Sequence, residues 1–203
     1  MQTGKKRRGR VIPRREQGQF RIIGGDWRRR RLDFPAHPGV RPTGDRVRET
    51  LFNWLQAEIH GARCLDLFAG SGALGLEALS RGAAEVTFVD RSAALLSAIG
   101  AHLRTLDDAG RGRCVVADAR AFLMREAQPF DIVFLDPPFD GDLLGPAAAA
   151  LADGLLAPGA RIYLEHGASQ ALPPLPPGWV VARDARAGNV RYHLAVADPA
   201  PDD

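Results

Sequence analysis

A carboxylate, two prolines and an aromatic ring follow a short apolar segment, and their types and order suit chemistry on a nucleobase. They are Asp136, Pro137, Pro138 and Phe139, after the apolar run 132–135. A nucleobase amine is a poor nucleophile, because its lone pair is delocalised into the ring. If the Asp136 carboxylate and the Pro137 carbonyl accept its two N–H bonds, the nitrogen becomes pyramidal and its lone pair is freed. Since proline restricts φ, that carbonyl is held in place beforehand, and Phe139 can stack on the base.

This segment favours transfer of a methyl group to the amine, and the reaction needs no strong general base. The nitrogen becomes acidic once it is methylated, so catalysis rests on alignment and desolvation for in-line displacement. An isolated Asp-Pro pair is also common in plain turns. Because this pair ends the fourth predicted strand beside a glycine-rich loop, we favour the catalytic interpretation.

The glycine-rich loop lies upstream and is suited to binding a nucleoside cofactor. Gly70, Gly72 and Gly75 form a G-x-G-x-x-G pattern between a predicted strand at 64–68 and a predicted helix at 73–81. Without Cβ atoms, glycines let the backbone turn sharply and approach a ligand closely. The loop alone does not identify the cofactor, since NAD-binding folds place a pyrophosphate on the same kind of helix start.

Aspartates end three successive predicted strands and give a further indication of the cofactor. They are Asp66, Asp90 and Asp118. Asp90 is placed to accept both hydroxyls of a ribose. The Asp118 carboxylate and the Ala119 backbone N–H could contact an adenine, although Asp118 by itself fits a helix cap better. Three acids suit the cationic sulfonium of S-adenosylmethionine (SAM) better than an anionic pyrophosphate, so we predict SAM.

Short apolar segments alternate with helical patterns from residue 64 onwards. Strands are predicted at 64–68, 85–90, 113–117, 131–135, 160–165, 179–185 and 190–196, and helices at 73–81, 92–108, 118–126 and 142–152. This alternation predicts an α/β fold whose parallel sheet is covered on both faces. The last two strands form a hairpin, so they cannot both run parallel to the others.

An arm and a further helix are predicted before this region. Two short strands within 20–34 flank a turn at 24–26, and a helix spans about 45–58 with Thr43 or Asp45 as its cap. Apolar residues share one face of that helix. Three polar residues are assigned to its other faces, namely Arg46, Arg48 and Asn53.

The N-terminal part of the chain is strongly basic. Residues 1–31 carry 12 of the 27 Lys and Arg residues against two acids, a net charge of +10, while the remainder carries −7. Such asymmetry indicates a polyanionic partner, since arginines pair with phosphates and aromatic rings stack on bases. For residues 1–18, a solvated tail is an equally good interpretation. The predicted RNA contacts are Arg21, Trp27, Arg28, Arg29, Arg30, Arg31 and Arg46.

Composition excludes several classes of protein. At 203 residues with 45% hydrophobic content, the chain suits one main domain, and no apolar run reaches the roughly 18 residues of a membrane span. The basic start is not followed by an apolar stretch, so it is not a secretory signal. Cys64 and Cys114 each open a predicted buried strand, which favours core packing in a reducing cytoplasm over a disulfide or metal site. A monomer is expected.

The histidines argue against a hydride-transfer enzyme. An NAD-dependent oxidoreductase would need a histidine or tyrosine beside the nicotinamide, and none of the five histidines has an evident partner. Glu165 and His166 end a predicted strand and could form an acid–base pair, although a histidine in a loop is the favoured interpretation. An RNA-binding module with a vestigial cofactor site is a third possibility.

The chain resembles the RsmD family of bacterial ribosomal RNA methyltransferases, which modify the N2 amine of a guanine in small-subunit rRNA. The matching segments are 21–25, 41–55, 65–81 and 136–139, and the run 41–55 is the most specific to the family. The resemblance implies a class I SAM-dependent methyltransferase with a Rossmann-like sheet of seven strands, the last antiparallel. A basic N-terminal arm precedes it. Adenine N6 methylation of DNA or RNA is the alternative, since it uses a similar catalytic motif.

The resemblance also assigns roles to residues. Asp66, Gly70 and Gly72 match the loop at the methionine side of SAM, Asp90 the ribose acid and Asp118 the adenine contact. The segment 41–43 would open a lid helix, which places Thr43 over the cofactor. We therefore divide the chain into a disordered basic tail (1–19), an arm with the lid helix (20–58), a methyltransferase domain (59–197) and a disordered tail (198–203). The expected substrate is 16S rRNA, naked or assembled in a small-subunit particle.

Overall fold

A seven-stranded mixed sheet with helices on both faces forms the body of the molecule, and a small hairpin packs against it. The computed structural model describes residues 17–40, 42–139 and 141–197. The strands are β1 (Gln17–Arg21), β2 (Arg31–Pro35), β3 (Arg63–Asp66), β4 (Glu85–Asp90), β5 (Gly112–Val116), β6 (Phe130–Leu135), β7 (Leu156–Gly167), β8 (Trp179–Ala187) and β9 (Val190–Ala197). The helices are α1 (Asp45–Trp54), α2 (Ala73–Ser80), α3 (Ala93–Thr105), α4 (Ala119–Leu123) and α5 (Leu144–Ala152).

The order of the strands creates a crevice at the middle of the sheet. The order is β5-β4-β3-β6-β7-β9-β8, with β3 to β7 mutually parallel and β9 antiparallel to both of its neighbours. The predicted seven-stranded sheet with an antiparallel last strand is confirmed. After β3 the chain builds outwards to β5 and then crosses back to β6. Ligands bind at such a reversal, beyond the carboxyl ends of the strands.

Element boundaries differ from the predicted ones mainly in the N-terminal region. β1 begins at Gln17, so the ordered arm starts earlier than the predicted boundary at residue 20. The helix α1 ends at Trp54, and its N-cap is Gly44 with no side-chain hydrogen bond. The prediction that Thr43 or Asp45 caps this helix is therefore wrong. The two tails predicted to be disordered lie outside the described residues, apart from the start of β1.

Two apolar cores cover the two faces of the sheet. One core lies between the sheet and the hairpin together with helices α1, α2 and α3. The other lies between the sheet and helices α4 and α5. Cys64 is buried in the first core, as predicted, but Cys114 is exposed. The prediction failed for Cys114 because β5 is an edge strand with little cover. Within the described residues, no helix has the length and apolar character needed to cross a membrane.

The hairpin is anchored to α2 by a buried carboxylate. Glu77 has no exposed surface, and its two oxygens accept hydrogen bonds from the backbone N–H groups of Ile23 and Gly24, both at 2.8 Å. It also pairs with Arg81 at 2.8 Å and with Arg48 at 3.2 Å. A charge buried in this way is tolerated only when it is paired and hydrogen-bonded. The arm is therefore an integral part of the fold.

Arg48 of α1 is the second half of this connection. Its guanidinium is fully buried and donates to the carbonyl of Arg21 at 2.9 Å, to the carbonyl of Thr43 at 3.0 Å and to the Asp45 carboxylate at 2.6 Å. Arg48 was assigned to a face of the helix other than the apolar one, and the hairpin covers that face. One side chain thus ties the hairpin and the segment before α1 to Glu77.

The turn of the hairpin rests on the end of α2. Gly25 has a φ of 73°, and a Cβ atom there would lie 1.7 Å from the Ser80 carbonyl oxygen. The backbone N–H of Trp27 donates to the Ser80 hydroxyl at 3.0 Å, and the Trp27 ring is 8% exposed. The apolar residues of the arm, Phe20 among them, belong to the core and are not free to stack on bases.

Replacing Glu77 with alanine should lower the free energy of unfolding by about 3–5 kcal/mol, because Arg48 would lose its buried partner and the N–H groups of Ile23 and Gly24 would lose their acceptor. The measurement is equilibrium denaturation by urea. The matched control is Glu49→Ala, at an exposed glutamate of α1, which should change stability by about 0.5 kcal/mol or less. Equal effects of the two substitutions would contradict the anchoring role of Glu77.

Candidate active site

The carboxyl ends of the central strands open into one cleft of about 1260 Å³. Its size exceeds the ~300–1,000 Å³ of typical small-ligand sites, and it has room for a cofactor and a base together. The predicted catalytic residues and all but one of the predicted cofactor residues line it: Asp66, Gly70, Asp90, Asp118, Ala119, Thr43, Asp136, Pro137, Pro138 and Phe139. The exception is Gly72.

The glycine loop shapes the floor of the cleft. Gly70 and Gly72 have φ values of 50° and 78°, in the region that disfavours other residues. A Cβ atom on Gly72 would lie 2.8 Å from the Ile99 side chain, so Gly72 allows α3 to pack closely. A Cβ atom on Gly70 would make only ordinary contacts, with Val40 at 3.5 Å and with the Phe68 carbonyl oxygen at 3.8 Å. Gly70 is therefore the glycine whose backbone a ligand can approach.

Two of the predicted acids hold the loop as well as facing the cleft. Asp66 is 2% exposed and accepts a hydrogen bond from the Gly75 backbone at 3.0 Å. Its burial raises its pKa to about 7, against the effect of that hydrogen bond. Asp90 accepts from the Gly70 and Ser92 backbones, at 2.9 and 2.7 Å. The loop is thus fixed by the same carboxylates that would meet a cationic ligand.

Asp118 caps a helix, which was the interpretation favoured for this residue by itself. Its Oδ1 accepts from the Ala121 backbone at 3.1 Å at the start of α4. Its other oxygen pairs with Arg91, a cleft residue that the sequence analysis missed, and this pairing lowers the pKa of Asp118. Contact of Asp118 and Ala119 with an adenine remains a prediction.

Asp136 is linked to the segment that precedes α1. The Thr43 hydroxyl donates to Asp136 Oδ2 at 3.0 Å. Burial raises the pKa of Asp136 to about 6, and the hydrogen bond from Thr43 opposes that rise. Pro137 is buried, whereas the Phe139 ring is 38% exposed and is available for stacking. Thr43, predicted as a cofactor residue, thus lies in the cleft but also contacts the carboxylate that is predicted to be catalytic.

A second carboxyl group, Glu165, lies in the cleft beside Asp136. It is 4% exposed, and the Tyr163 hydroxyl donates to its Oε2 at 2.5 Å. Burial, and then the charge of Asp136, raises the pKa of Glu165 to about 8. In the sequence, Glu165 stands out only as a neighbour of His166. Its position at the end of the strand next to the catalytic motif was the signal that could have identified it.

The two histidines at this end of the sheet form a pair. The rings of His166 and His193 are stacked with centroids 5.2 Å apart, and their Nε2 atoms are 3.0 Å apart. Both are 5% exposed and lie in strands β7 and β9. The predictions that His166 lies in a loop and that neither histidine has a partner are therefore wrong. Pairing across antiparallel strands cannot be seen without the register.

The predicted RNA contacts divide into exposed and buried residues. The run 28–31 is exposed, and Arg46 lines the cleft. Arg21 is exposed but pairs with Asp45 at 2.8 Å. Trp27 is buried, so the prediction that its ring contacts RNA is corrected. Among the described residues, no group of three or more His, Cys, Asp and Glu side chains is placed to hold a metal ion.

Comparison with known proteins connects this cleft to one family. The family model described as Conserved hypothetical protein 95 matches residues 20–196. Ribosomal RNA small subunit methyltransferase D of Escherichia coli K12 is 51% identical over 178 residues, which are 87% of this chain and 89% of that protein. This chain belongs to the RsmD family. The protein of the same name from Haemophilus influenzae is 41% identical over 182 residues, 88% of this chain and 94% of that one.

Solved structures agree with the family assignment. The chain of yhhF from Escherichia coli has a TM-score of 0.83 and 47% identity, with 89% of this RsmD-family chain and 99% of that chain covered. SMU.776, solved with SAH, has a TM-score of 0.66 at 16% identity, with 93% and 57% covered, and it shows the fold alone. The fold is that of the class I SAM-dependent methyltransferases, as the resemblance implied.

Removing the Thr43 hydroxyl should change the pH dependence of methyl transfer. Asp136 must be ionised to accept an amine N–H, so activity is present above its pKa of about 6 and is lost as the pH falls below it. In Thr43→Val this pKa rises further, and the acid limb should move up by roughly 0.7 pH unit, the equivalent of one hydrogen bond of ~1 kcal/mol. Initial rates from pH 5 to 8 measure the shift.

The control for this substitution is Thr50→Val. The Thr50 hydroxyl donates only within α1, to the Arg46 carbonyl at 3.0 Å. The acid limb of the pH–rate profile of Thr50→Val should match that of the wild type. If Thr43→Val also leaves the acid limb in place, the hydrogen bond does not set the ionisation of Asp136.

Proposed function

We propose that this protein transfers a methyl group from SAM to the exocyclic N2 amine of a guanine in 16S ribosomal RNA. The observation that carries the proposal is the position of Asp136 in the same cleft as the glycine loop and the three strand-end acids. The membership in the RsmD family supports rRNA as the substrate, and the names of the relatives say that they methylate small-subunit rRNA.

The residues of the cleft fit SAM. Bound SAM supplies a methyl group made electrophilic by its sulfonium. Gly70 lets the methionine part approach the loop, beside the buried Asp66. Asp90 keeps lone pairs for the ribose hydroxyls, and Asp118 with Ala119 faces the adenine. The acids at three strand ends favour a cationic ligand over a pyrophosphate.

Asp136 and the Pro137 carbonyl prepare the amine. Thr43 already donates to Asp136 Oδ2, so we assign one amine N–H to Oδ1 and the other to the Pro137 carbonyl. These two acceptors draw the nitrogen lone pair out of the ring system. Pro137 and Pro138 fix the backbone, and the exposed ring of Phe139 stacks on the base. The proton lost from the methylated nitrogen passes to water or to Asp136, whose pKa of about 6 permits it.

The target guanine enters the cleft extruded from the folded RNA. An enzyme that acts on a base must remove it from the stack, at a cost of a few kcal/mol. The segment 42–44 lines the cleft opposite the catalytic motif and is placed to act as a lid. The side chain of Thr43 gives this lid a direct contact with Asp136.

The exposed arginines of the hairpin supply a surface for the RNA backbone. Residues 28–30 are exposed between β1 and β2, Arg31 is exposed at the start of β2, and Arg46 adds a positive charge at the cleft. Neutralising phosphates with such residues releases counterions and makes the affinity depend on salt. We propose that the protein works as a monomer in the cytoplasm, on rRNA that is naked or assembled in a particle.

The alternative of adenine N6 methylation rests only on the similarity of the catalytic motif. No feature of the cleft outside residues 136–139 favours it, whereas the relatives are rRNA small subunit methyltransferases. The hydride-transfer alternative is excluded by the family.

Mass spectrometry of nucleosides tests the proposal. Small-subunit rRNA from cells that lack the modification is incubated with the protein and labelled SAM, and labelled N2-methylguanosine is expected. Asp136→Ala should lower kcat by about 10²–10³-fold, the loss typical of one preorganised polar group. Asp142→Ala, at an exposed aspartate shortly after the motif, should retain activity. Labelled N6-methyladenosine, or an unchanged rate in Asp136→Ala, would refute the mechanism.

The salt dependence of RNA binding tests the arginine surface. Replacing Arg28, Arg30 and Arg31 with glutamine should reduce the slope of log K against log salt by ~0.7 for each phosphate of a single strand that these arginines neutralise. Arg29 is left in place, because its φ of 71° is in the left-handed region and any change there could also disturb the turn. Glutamines at Arg183 and Arg186, exposed on the edge strand β8, are the control and should leave the slope unchanged.

Deletion of residues 1–16 leaves β1 whole and separates the contribution of the N-terminal basic residues. A slope equal to that of the full chain would show that they make no phosphate contacts. An unchanged slope in the hairpin variant would instead show that RNA binds elsewhere.

A further inference from the structure

We propose that Glu165, as an uncharged carboxyl group, recognises the O6 and N1–H edge of the target guanine and so positions its amine at Asp136. This inference rests on the proposed function and deepens it. Glu165 would then determine which base is accepted, while the four residues of the catalytic motif hold and activate its amine.

The position of Glu165 places it on the substrate side of Asp136. In the parallel pair of β6 and β7, Leu135 lies opposite Leu164, so Asp136 and Glu165 follow at neighbouring strand ends. The acids assigned to the cofactor lie at the ends of β3 and β4 and just after β5, on the other side of β6. A base whose amine is held at Asp136 and turned towards the cofactor therefore has the rest of its edge near β7.

Each oxygen of Glu165 can still form a hydrogen bond with a ligand, because an oxygen that accepts one hydrogen bond keeps a second lone pair. Tyr163 donates to Oε2, and among the described residues no hydrogen bond involves Oε1. Tyr163 and Glu165 are two residues apart in β7 and share a face of the sheet. Glu165 lines the cleft and is only 4% exposed, so water has little access to it.

The surroundings of Glu165 favour its protonated form. Burial is the main cause of its raised pKa of about 8, and the charge of Asp136 adds to it. The titratable and charged groups near it are Asp136 on β6, Tyr163 on its own strand, Tyr192 opposite it on β9, and Asp45 and Arg46 at the start of α1 on the cleft wall. With Asp136 titrating near 6, the pair holds one proton at neutral pH.

An uncharged carboxyl group has both a donor and an acceptor, which is the pattern that guanine requires. Its O–H can donate to O6 while its carbonyl oxygen accepts N1–H, and the adjacent N2 amine is left for Asp136. Adenine placed with its amine at Asp136 presents the N1 lone pair and then a C–H. It can accept one hydrogen bond from Glu165 and offers none in return, so guanine is favoured.

Glutamine and alanine at position 165 distinguish recognition from a merely structural role. The amide of Glu165→Gln offers the same donor and acceptor at every pH. We expect its kcat/KM at pH 7 to stay within about threefold of the wild type, and to persist at pH 9, where the wild type loses activity as Glu165 ionises. Glu165→Ala should lower kcat/KM by about 10- to 100-fold, mostly through KM, as expected when a bidentate hydrogen bond to a base is removed. SAM affinity, measured by calorimetry, should be unchanged in both.

A modified base tests the contact directly. The rRNA is prepared by splinted ligation with 2-aminopurine at the methylated position, since this base keeps the amine but lacks O6 and N1–H. The wild type should methylate it about 10- to 100-fold more slowly than guanine, and Glu165→Ala should remove that preference.

The outcomes separate this inference from the function beneath it. If Glu165→Gln still loses activity at pH 9, Glu165 is not the group whose ionisation matters. If Glu165→Ala still methylates guanine faster than 2-aminopurine, Glu165 does not recognise the base. Either result would overturn the role of Glu165 and leave guanine methylation intact. Absence of transfer to guanine by the wild type would overturn both. Loss of SAM affinity in the variants would assign Glu165 to the cofactor site and also refute the proposal.

Discussion

The buried pair of Arg48 and Glu77 holds together the parts of the protein on which the site depends. Glu77 lies in the helix that the glycine loop opens, and it fixes the hairpin through two backbone N–H groups. Arg48 binds the carbonyl of Thr43, whose side chain reaches Asp136. Cofactor loop, arm and lid are therefore joined through one ion pair. Because a single unpaired charge in this place is costly, neither partner can change alone.

The cleft concentrates acidic groups where the strand order reverses. Asp66, Asp136 and Glu165 lie at or near the ends of parallel strands, and loss of solvation there raises the pKa of each. A cationic cofactor relieves this repulsion, and so does a base that donates N–H bonds. The repulsion between these carboxylates therefore favours binding of both ligands. Groups with shifted pKa values often mark functional sites, and this cleft agrees with that tendency.

Local patterns predicted the sheet and most of the site, and tertiary contacts decided the rest. Alternating apolar segments located every strand of the main sheet, and strand ends located Asp66, Asp90, Asp118 and Asp136. Trp27 was misassigned and the burial of Arg48 was not predicted, because both depend on a hairpin that covers α1 and α2. The roles of Glu165 and His166 depend on which strands are neighbours, which no local period encodes. The sequence therefore predicts which side chains each strand carries, but not which other side chains they contact.

The edge position of β5 gives the protein a natural attachment point for a probe. Of the two cysteines in the chain, Cys64 is in the core and Cys114 is exposed. A maleimide dye would therefore label Cys114 without any engineered substitution, at mildly alkaline pH because its thiol pKa is raised by partial burial. Cys114 lies in the strand that leads to Asp118, so fluorescence from this position would follow occupation of the neighbouring part of the cleft in real time.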